Sequence, residues 1–352
     1  MAAFIVIVPE WFELIFLTVC IGTLVCGLWV LGASEATGEP YRENLLIRVR
    51  RLFGICIFVM IISGMVNLVM RSVSMSGQPI TAVTSVLPIV LSRTHYGRVW
   101  LVRFAALIIL AVLFKVGSRH RDSRGFLLIM LGVAVVISMT GSASGHAADL
   151  GDLSVREIMD WLHLLAASFW GGGLIVLSIA VLPKLVTPDD HVAQLIAGVA
   201  SRFSRMSGIA VGIVAITAFY NYLIYVNSFE ALWNTPYGLT VVAKIILFSI
   251  LVNLGAFNRY INVPLLQEWA GVSAGCRKPI TRLALRLFPR FQLAGSGFRI
   301  ARRFMHSVRA EAALIACVLL CAALLRHGIP ARHAAHMEHG GKGMSSQQQH
   351  HH

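Results

Sequence analysis

A chain of 352 residues with 13% charged side chains and a mean hydropathy of +0.75 is not an ordinary water-soluble domain. Soluble domains carry about a quarter charged residues. The formal charge of +14 does not indicate nucleic acid, because most Lys and Arg lie in a few segments between long apolar runs.

Lipid offers backbone groups no partners, so apolar runs of about twenty residues, enough to span about 30 Å of hydrocarbon, must be helices. Eight are predicted, over roughly 11–33, 53–72, 97–116, 126–143, 155–182, 206–227, 238–260 and 309–326. The fold class is therefore all-α integral membrane protein, a bundle of about eight transmembrane helices. The first run starts at about Trp11 with no basic residue before it, so no cleavable leader is expected.

The first span carries Glu13. The second carries Met60, Met65 and Met70, with Met75 beyond it; an interval of five is not a helical period, so these sulfurs spread around the helix. His95 opens the third span, and Arg103 lies about two turns inside it. The fourth ends at Ser144-Gly145-His146. The fifth begins with a capping box, Ser154-x-x-Glu157. Asp160, His163, Ala167 and Trp170 then share one helical face, with Met159 four residues before His163. Asp160 is expected to accept a hydrogen bond from His163 and fix its tautomer. The seventh span carries Lys244. Charges in hydrocarbon are costly, so Arg103 and Lys244 are expected to form intramembrane ion pairs with Glu13 or Asp160. Five cysteines, Cys20, Cys26, Cys56, Cys317 and Cys321, lie in spans as packing residues rather than in a disulfide framework.

Basic residues alternate from one connection to the next. Arg42 to Arg51, Lys115 to Arg124, Lys184 to Arg205, and the long 261–308 segment fall on one side. The positive-inside rule makes that side cytoplasmic and both termini periplasmic, in a bacterial inner membrane. Within 261–308, Lys278 to Phe304 interleaves Arg with Leu, Phe and Ile, as an amphipathic helix on an anionic leaflet does. Beyond the last span, 328–352 reads as a flexible periplasmic tail with His333, His336, Met337 and His339. Imidazole and thioether donors suit soft or borderline metals such as copper.

The two halves match in order. Glu10-Trp11-Phe12-Glu13 aligns with Asp160-Trp161-Leu162-His163, and Ser63-x-x-x-Asn67 with Thr217-x-x-x-Asn221. Thr94-His95-Tyr96-Gly97, with Arg103 later, aligns with Thr235-Pro236-Tyr237-Gly238, with Lys244 later. A 4+4 parallel repeat is expected, about an axis along the membrane normal. The first repeat takes 1–145, the second 146–327 with its basic cytoplasmic loop at 261–308, and the tail 328–352. Candidate metal ligands are His146, His163, Glu13, His95 and Met159 at the outer mouth, with His333, His336, Met337 and His339 in the tail. Asp160 and Trp170 support them. Imidazoles near a carboxylate suit copper, zinc or haem.

Several of these residues resemble the copper resistance protein D family. They are Ser144-Gly145-His146-Ala147, Asp160-x-x-His163 with Trp170-x-Gly172-Gly173-Leu174, Arg202-Phe203-Ser204, Thr235-x-Tyr237-Gly238 with Lys244, Val308-Arg309-Ala310-Glu311, and Pro330-Ala331-Arg332-His333. The likeness covers about residues 140–262 and 305–335. It implies a bacterial inner-membrane protein of copper resistance or uptake, with His146 and His163 as copper positions. The long basic insertion before the last span departs from the pattern. The expected function is copper transport or handling, with copper ion and lipid as partners, a periplasmic copper chaperone as a candidate third, and no enzymatic activity. No G-x-x-x-x-G-K-[ST] is present, so movement would be passive or ion-coupled. The main alternative is a haem-binding electron carrier with Arg103 or Lys244 near propionates. A scaffold subunit of a larger complex is a third reading.

Overall fold

The computed structural model describes residues 2–31, 39–117, 123–144, 153–186, 192–225, 229–272, 279–287 and 297–327. Among them are eight helices long and apolar enough to cross a membrane. These are α1 (Ile7–Leu31), α2 (Tyr41–Ser76), α3 (His95–Val116), α4 (Arg124–Ala143), α5 (Val155–Leu185), α6 (Ala193–Ile224), α7 (Pro236–Trp269) and α8 (Gly297–Arg326).

Several helices outrun the predicted spans. α2, α6 and α8 start about a dozen residues early, and α7 continues to Trp269. Hydropathy marks only the part of a helix inside hydrocarbon, while Arg and Glu continue it beyond the membrane boundary at little cost. The segment 261–308, read as a loop, is thus helical at both ends, and Pro279–Leu287 adds a short helix carrying Arg282 and Arg286. Two further short helices, Ile80–Arg93 and Phe229–Asn234, precede α3 and α7. Each is followed by a threonine N-cap. Thr94 accepts from the Gly97 amide at 3.0 Å, and Thr235 accepts from the Gly238 amide at 2.9 Å. The capping box of α5 forms, with Ser154 accepting from the Glu157 amide at 3.3 Å.

α1 and α5 form the centre, with 83% and 78% of their most apolar stretches buried, against 17% for α6 and 6% for α7. The central pair can be this close because small residues face each other every fourth position. Thr18-x-x-x-Gly22 meets Ser168-x-x-x-Gly172. A Cβ on Gly22 would lie 2.2 Å from the Gly172 carbonyl carbon, and one on Gly172 would lie 2.0 Å from the Thr18 oxygen. Beside them the Thr18 and Ser168 hydroxyls are 3.4 Å apart. π-helical turns widen α1 at Cys26–Leu31, α5 at Ser168–Gly172 and Leu177–Val181, and α7 at Asn258–Asn262.

The two ends of the bundle differ. At one rim the start of α1 meets the end of α8. Glu10 pairs with Arg326 at 2.6 Å, and the Trp11 indole donates to the Ala316 carbonyl at 3.0 Å. At the opposite, basic rim, Arg42 and Arg202 donate to the last carbonyls of α1, at Leu31 (3.2 Å) and Val30 (2.8 Å). Cations there satisfy carbonyls that have no intrahelical donor.

Candidate functional site in the polar layer

Below the rim of termini, polar side chains from all the central helices form a layer with two clusters. The first is built on α1. Both Glu13 carboxylate oxygens are engaged: Oε1 pairs with Arg103 of α3, and Oε2 accepts from Asn67 of α2 at 2.5 Å. Arg103 also donates to the Thr140 hydroxyl (2.9 Å), the Thr140 carbonyl (2.8 Å) and the Ser144 hydroxyl (3.0 Å) of α4. Its side chain is 10% exposed and that of Glu13 14%. A guanidinium that spends its fork on one carboxylate and three further oxygens is fixed in place. Glu13 therefore sits in a closed ion pair.

The second cluster is built on α5 and is open. The Asp160–His163 hydrogen bond expected from sequence is not made. Asp160 accepts from Ser142 of α4 at 2.9 Å, whereas His163 Nδ1 lies 2.9 Å from the Thr217 hydroxyl of α6. Neighbouring helices supply better-aimed partners than a residue one turn away. The Thr217 hydroxyl has one proton, and it goes to the Ile213 carbonyl at 2.7 Å. With that proton so placed, the hydroxyl accepts from His163 Nδ1, which in a neutral ring leaves the lone pair on Nε2. The Val214 backbone also lies within hydrogen-bonding reach of the His163 ring, and among the described residues the buried Asn221 amide oxygen has no hydrogen-bond partner. Lys244 makes no ion pair within 4 Å among them, although Asp160 lies within its electrostatic reach and within that of His163. The expected intramembrane pair thus forms at Arg103 and not at Lys244.

The other residues singled out from sequence lie at different depths. The His95 ring, exposed at the start of α3, donates from Nε2 to the Ala143 carbonyl at 3.2 Å, beside the chain that leads toward His146. Met159 is half-buried on α5. Trp170 is 4% exposed and meets Phe248 of α7 edge-on at 6.0 Å. Cys317 and Cys321 are unpaired thiols on α8, the first exposed and the second half-exposed. His146, His333, His336, Met337 and His339 lie outside the described residues. Among the described residues no three His, Cys, Asp or Glu side chains converge as a metal site. Sequence reading did not assign roles to Asn67, Thr140 and Thr217. The matching Ser63-Asn67 and Thr217-Asn221 pairs were the available signal, since they occupy the helix that follows Glu13 or His163 in each half.

Eight long apolar helices around a layer of three acids and three cations define a multi-pass membrane protein with a hydrophilic site inside its bundle. Residues 1–155 match the family described as Copper resistance protein D-like, N-terminal domain, and residues 197–285 match Copper resistance protein D. The chain belongs to the copper resistance protein D family. It is 24% identical over 249 residues to Copper resistance protein D of Pseudomonas syringae pv. tomato, covering 70% of this chain and 79% of that one. It is 28% identical over 170 residues to Copper transport protein CutJ of Bacillus subtilis (strain 168), covering 48% of this chain and 31% of that longer protein. No solved structure matches the chain.

Proposed function

We propose that this protein binds copper at the open cluster on α5 and passes it into or across the bacterial inner membrane, with the His/Met tail collecting the ion on the periplasmic side. The observation that carries the reading is the state of His163. Its Nδ1 is anchored on the Thr217 hydroxyl, and in the tautomer that donates there Nε2 is the nitrogen that can take a ligand. Metal-bound histidines are held in this way, one nitrogen donating to a fixed acceptor and the other binding the ion. Asp160 lies one turn before His163, within its electrostatic reach, and can offset part of an added positive charge. Met159 supplies a sulfur on the same turn, and His95 lies at the start of α3. The names of the two relatives, one a resistance and one a transport protein, support reading this chemistry as copper handling.

The reading includes a parallel repeat. Thr18 and Ser168, Gly22 and Gly172, and Glu13 and His163 are each offset by 150 residues, and the first two pairs meet across the centre. The matching caps of Thr94 and Thr235, offset by 141 residues, support the repeat in α3 and α7. In this scheme the first half keeps the site as a closed ion pair that holds helices together. The second half replaces the acid by histidine and leaves it open to a ligand.

The test is copper binding by the full-length protein, titrated against a chelator of known affinity. His163→Ala is expected to remove one site or weaken it at least tenfold. A triple substitution of His333, His336 and His339 separates tail sites from the bundle site. Full affinity and stoichiometry in His163→Ala would overturn the assignment.

A further inference from the structure

Another acid lies far from this layer. Glu311 of α8 is 2% exposed. By helical rise it stands about 22 Å from Arg326 at the rim of termini and about 12 Å above Arg303 at the basic rim. That places it inside the hydrocarbon depth, where an ionisable side chain is costly unless it has a use. Unlike Glu13 and Glu10, it has no cation against it. Its contact is an amide: Asn258 of α7 donates to Oε1. The second oxygen faces Gly255, whose missing side chain leaves Oε2 clear at 3.9 Å from where a Cβ would stand.

The amide belongs to a directional chain. Arg303 Nε donates to the Asn262 oxygen at 2.8 Å, Asn262 donates to the Asn258 oxygen at 2.5 Å, and Asn258 donates to Glu311. The π-helical turn at Asn258–Asn262 gives α7 room to present both amides on one side, and such turns recur at functional sites. The chain leads from the basic rim to the carboxyl through groups that are 7% exposed (Asn258) and 0% exposed (Asn262). Other charged groups on the packed helices point elsewhere. Arg259 of α7 donates to the Ser204 carbonyl of α6, and His306 and Arg309 of α8 are exposed. From α1, α5 and α7 no charged side chain within the described residues acts on Glu311; burial and Asn258 make up its surroundings.

We propose that Glu311 is a proton-exchange site of the inner half that exchanges its proton with water from the basic rim; Arg303, Asn262 and Asn258 line that approach and orient the carboxyl without giving up protons themselves. Oε1 keeps the Asn258 hydrogen bond in both states, and the proton resides on Oε2 beside Gly255. Uptake converts carboxylate and hydronium to carboxylic acid and water, and release reverses it, with no redox step. The proposal does not depend on the copper assignment, since it concerns metal-free protein. A proton site in this position supplies an ion to which transport could be coupled.

The experiment is infrared difference spectroscopy of the metal-free full-length protein in lipid nanodiscs, stepped between acidic and alkaline buffer. The expected result is a carboxylic C=O band that rises with acid, is lost in Glu311→Gln, and shifts its titration in Arg303→Gln. Glutamine keeps the acceptor for Asn258, so Glu311→Gln should remain monodisperse and helical. A wild-type spectrum identical to that of Glu311→Gln over the range in which both stay folded would overturn the proposal. Glu311 would then keep one protonation state throughout, bridged to Arg303 by two amides for structural reasons.

Discussion

Replacing Arg103 by methionine tests whether the first cluster is a structural lock. Methionine fills much of the volume but donates nothing. The change removes the ion pair to Glu13 and three further hydrogen bonds to Thr140 and Ser144. Glu13, 14% exposed, is left with Asn67 alone. Breaking a buried pair from one side costs about 3–5 kcal/mol, because the remaining charge is uncompensated. Removing both charges in Glu13→Leu/Arg103→Met should recover most of that loss, to within about 1 kcal/mol of the native protein, since an apolar pair needs no partner. Lys244→Met should cost much less than Arg103→Met, because Lys244 has no hydrogen-bonded ion pair among the described residues for the change to break. The assay is the apparent thermal midpoint in detergent, read as the fraction still monodisperse after heating. If Arg103→Met is no less stable than Lys244→Met, or if the double variant is worse than the single, the contrast between a closed and an open cluster is wrong.

Gly172→Val should sharply reduce the yield of folded protein, because its side chain would start 2.0 Å from the Thr18 oxygen and force α1 and α5 apart; overpacking of this kind costs about 1–3 kcal/mol or more. Gly132→Val is the control, since a Cβ there meets nothing within 4 Å, and equal yields would remove the close-crossing argument. Thr217→Val keeps the side-chain shape but frees the His163 tautomer, and copper affinity should fall about 10–100-fold with little change in thermal midpoint. Unchanged affinity would mean that the hydroxyl does not set the ring. An alkaline phosphatase fused after His352 should be active, as the charge distribution requires of a periplasmic C-terminus, and an inactive fusion would reverse the orientation.

The membrane class, the number of spans and the side that carries the positive charge were legible in the amino-acid sequence. Each follows from a local property: about twenty apolar residues suffice for a crossing, and arginines cluster in alternate connections. Helix ends were less legible, as α2, α6, α7 and α8 show, because the backbone goes on hydrogen-bonding after the apolar pattern stops. The acids and cations could be identified as costly and in need of partners, and the Glu13–Arg103 pair was among the combinations anticipated. Partner choice, however, is long-range. Arg103 reaches Glu13 across 90 residues of sequence and Arg326 reaches Glu10 across 316, a pairing with no sequence signal. The local expectation failed at Asp160 and His163, where Ser142 and Thr217 from adjacent helices took both side chains. Composition and periodicity decide that a helix enters the membrane and which of its faces can be buried. Which polar atoms meet there is decided only when Gly22 and Gly172 let the two central backbones touch and bring the surrounding helices to fixed depths and rotations.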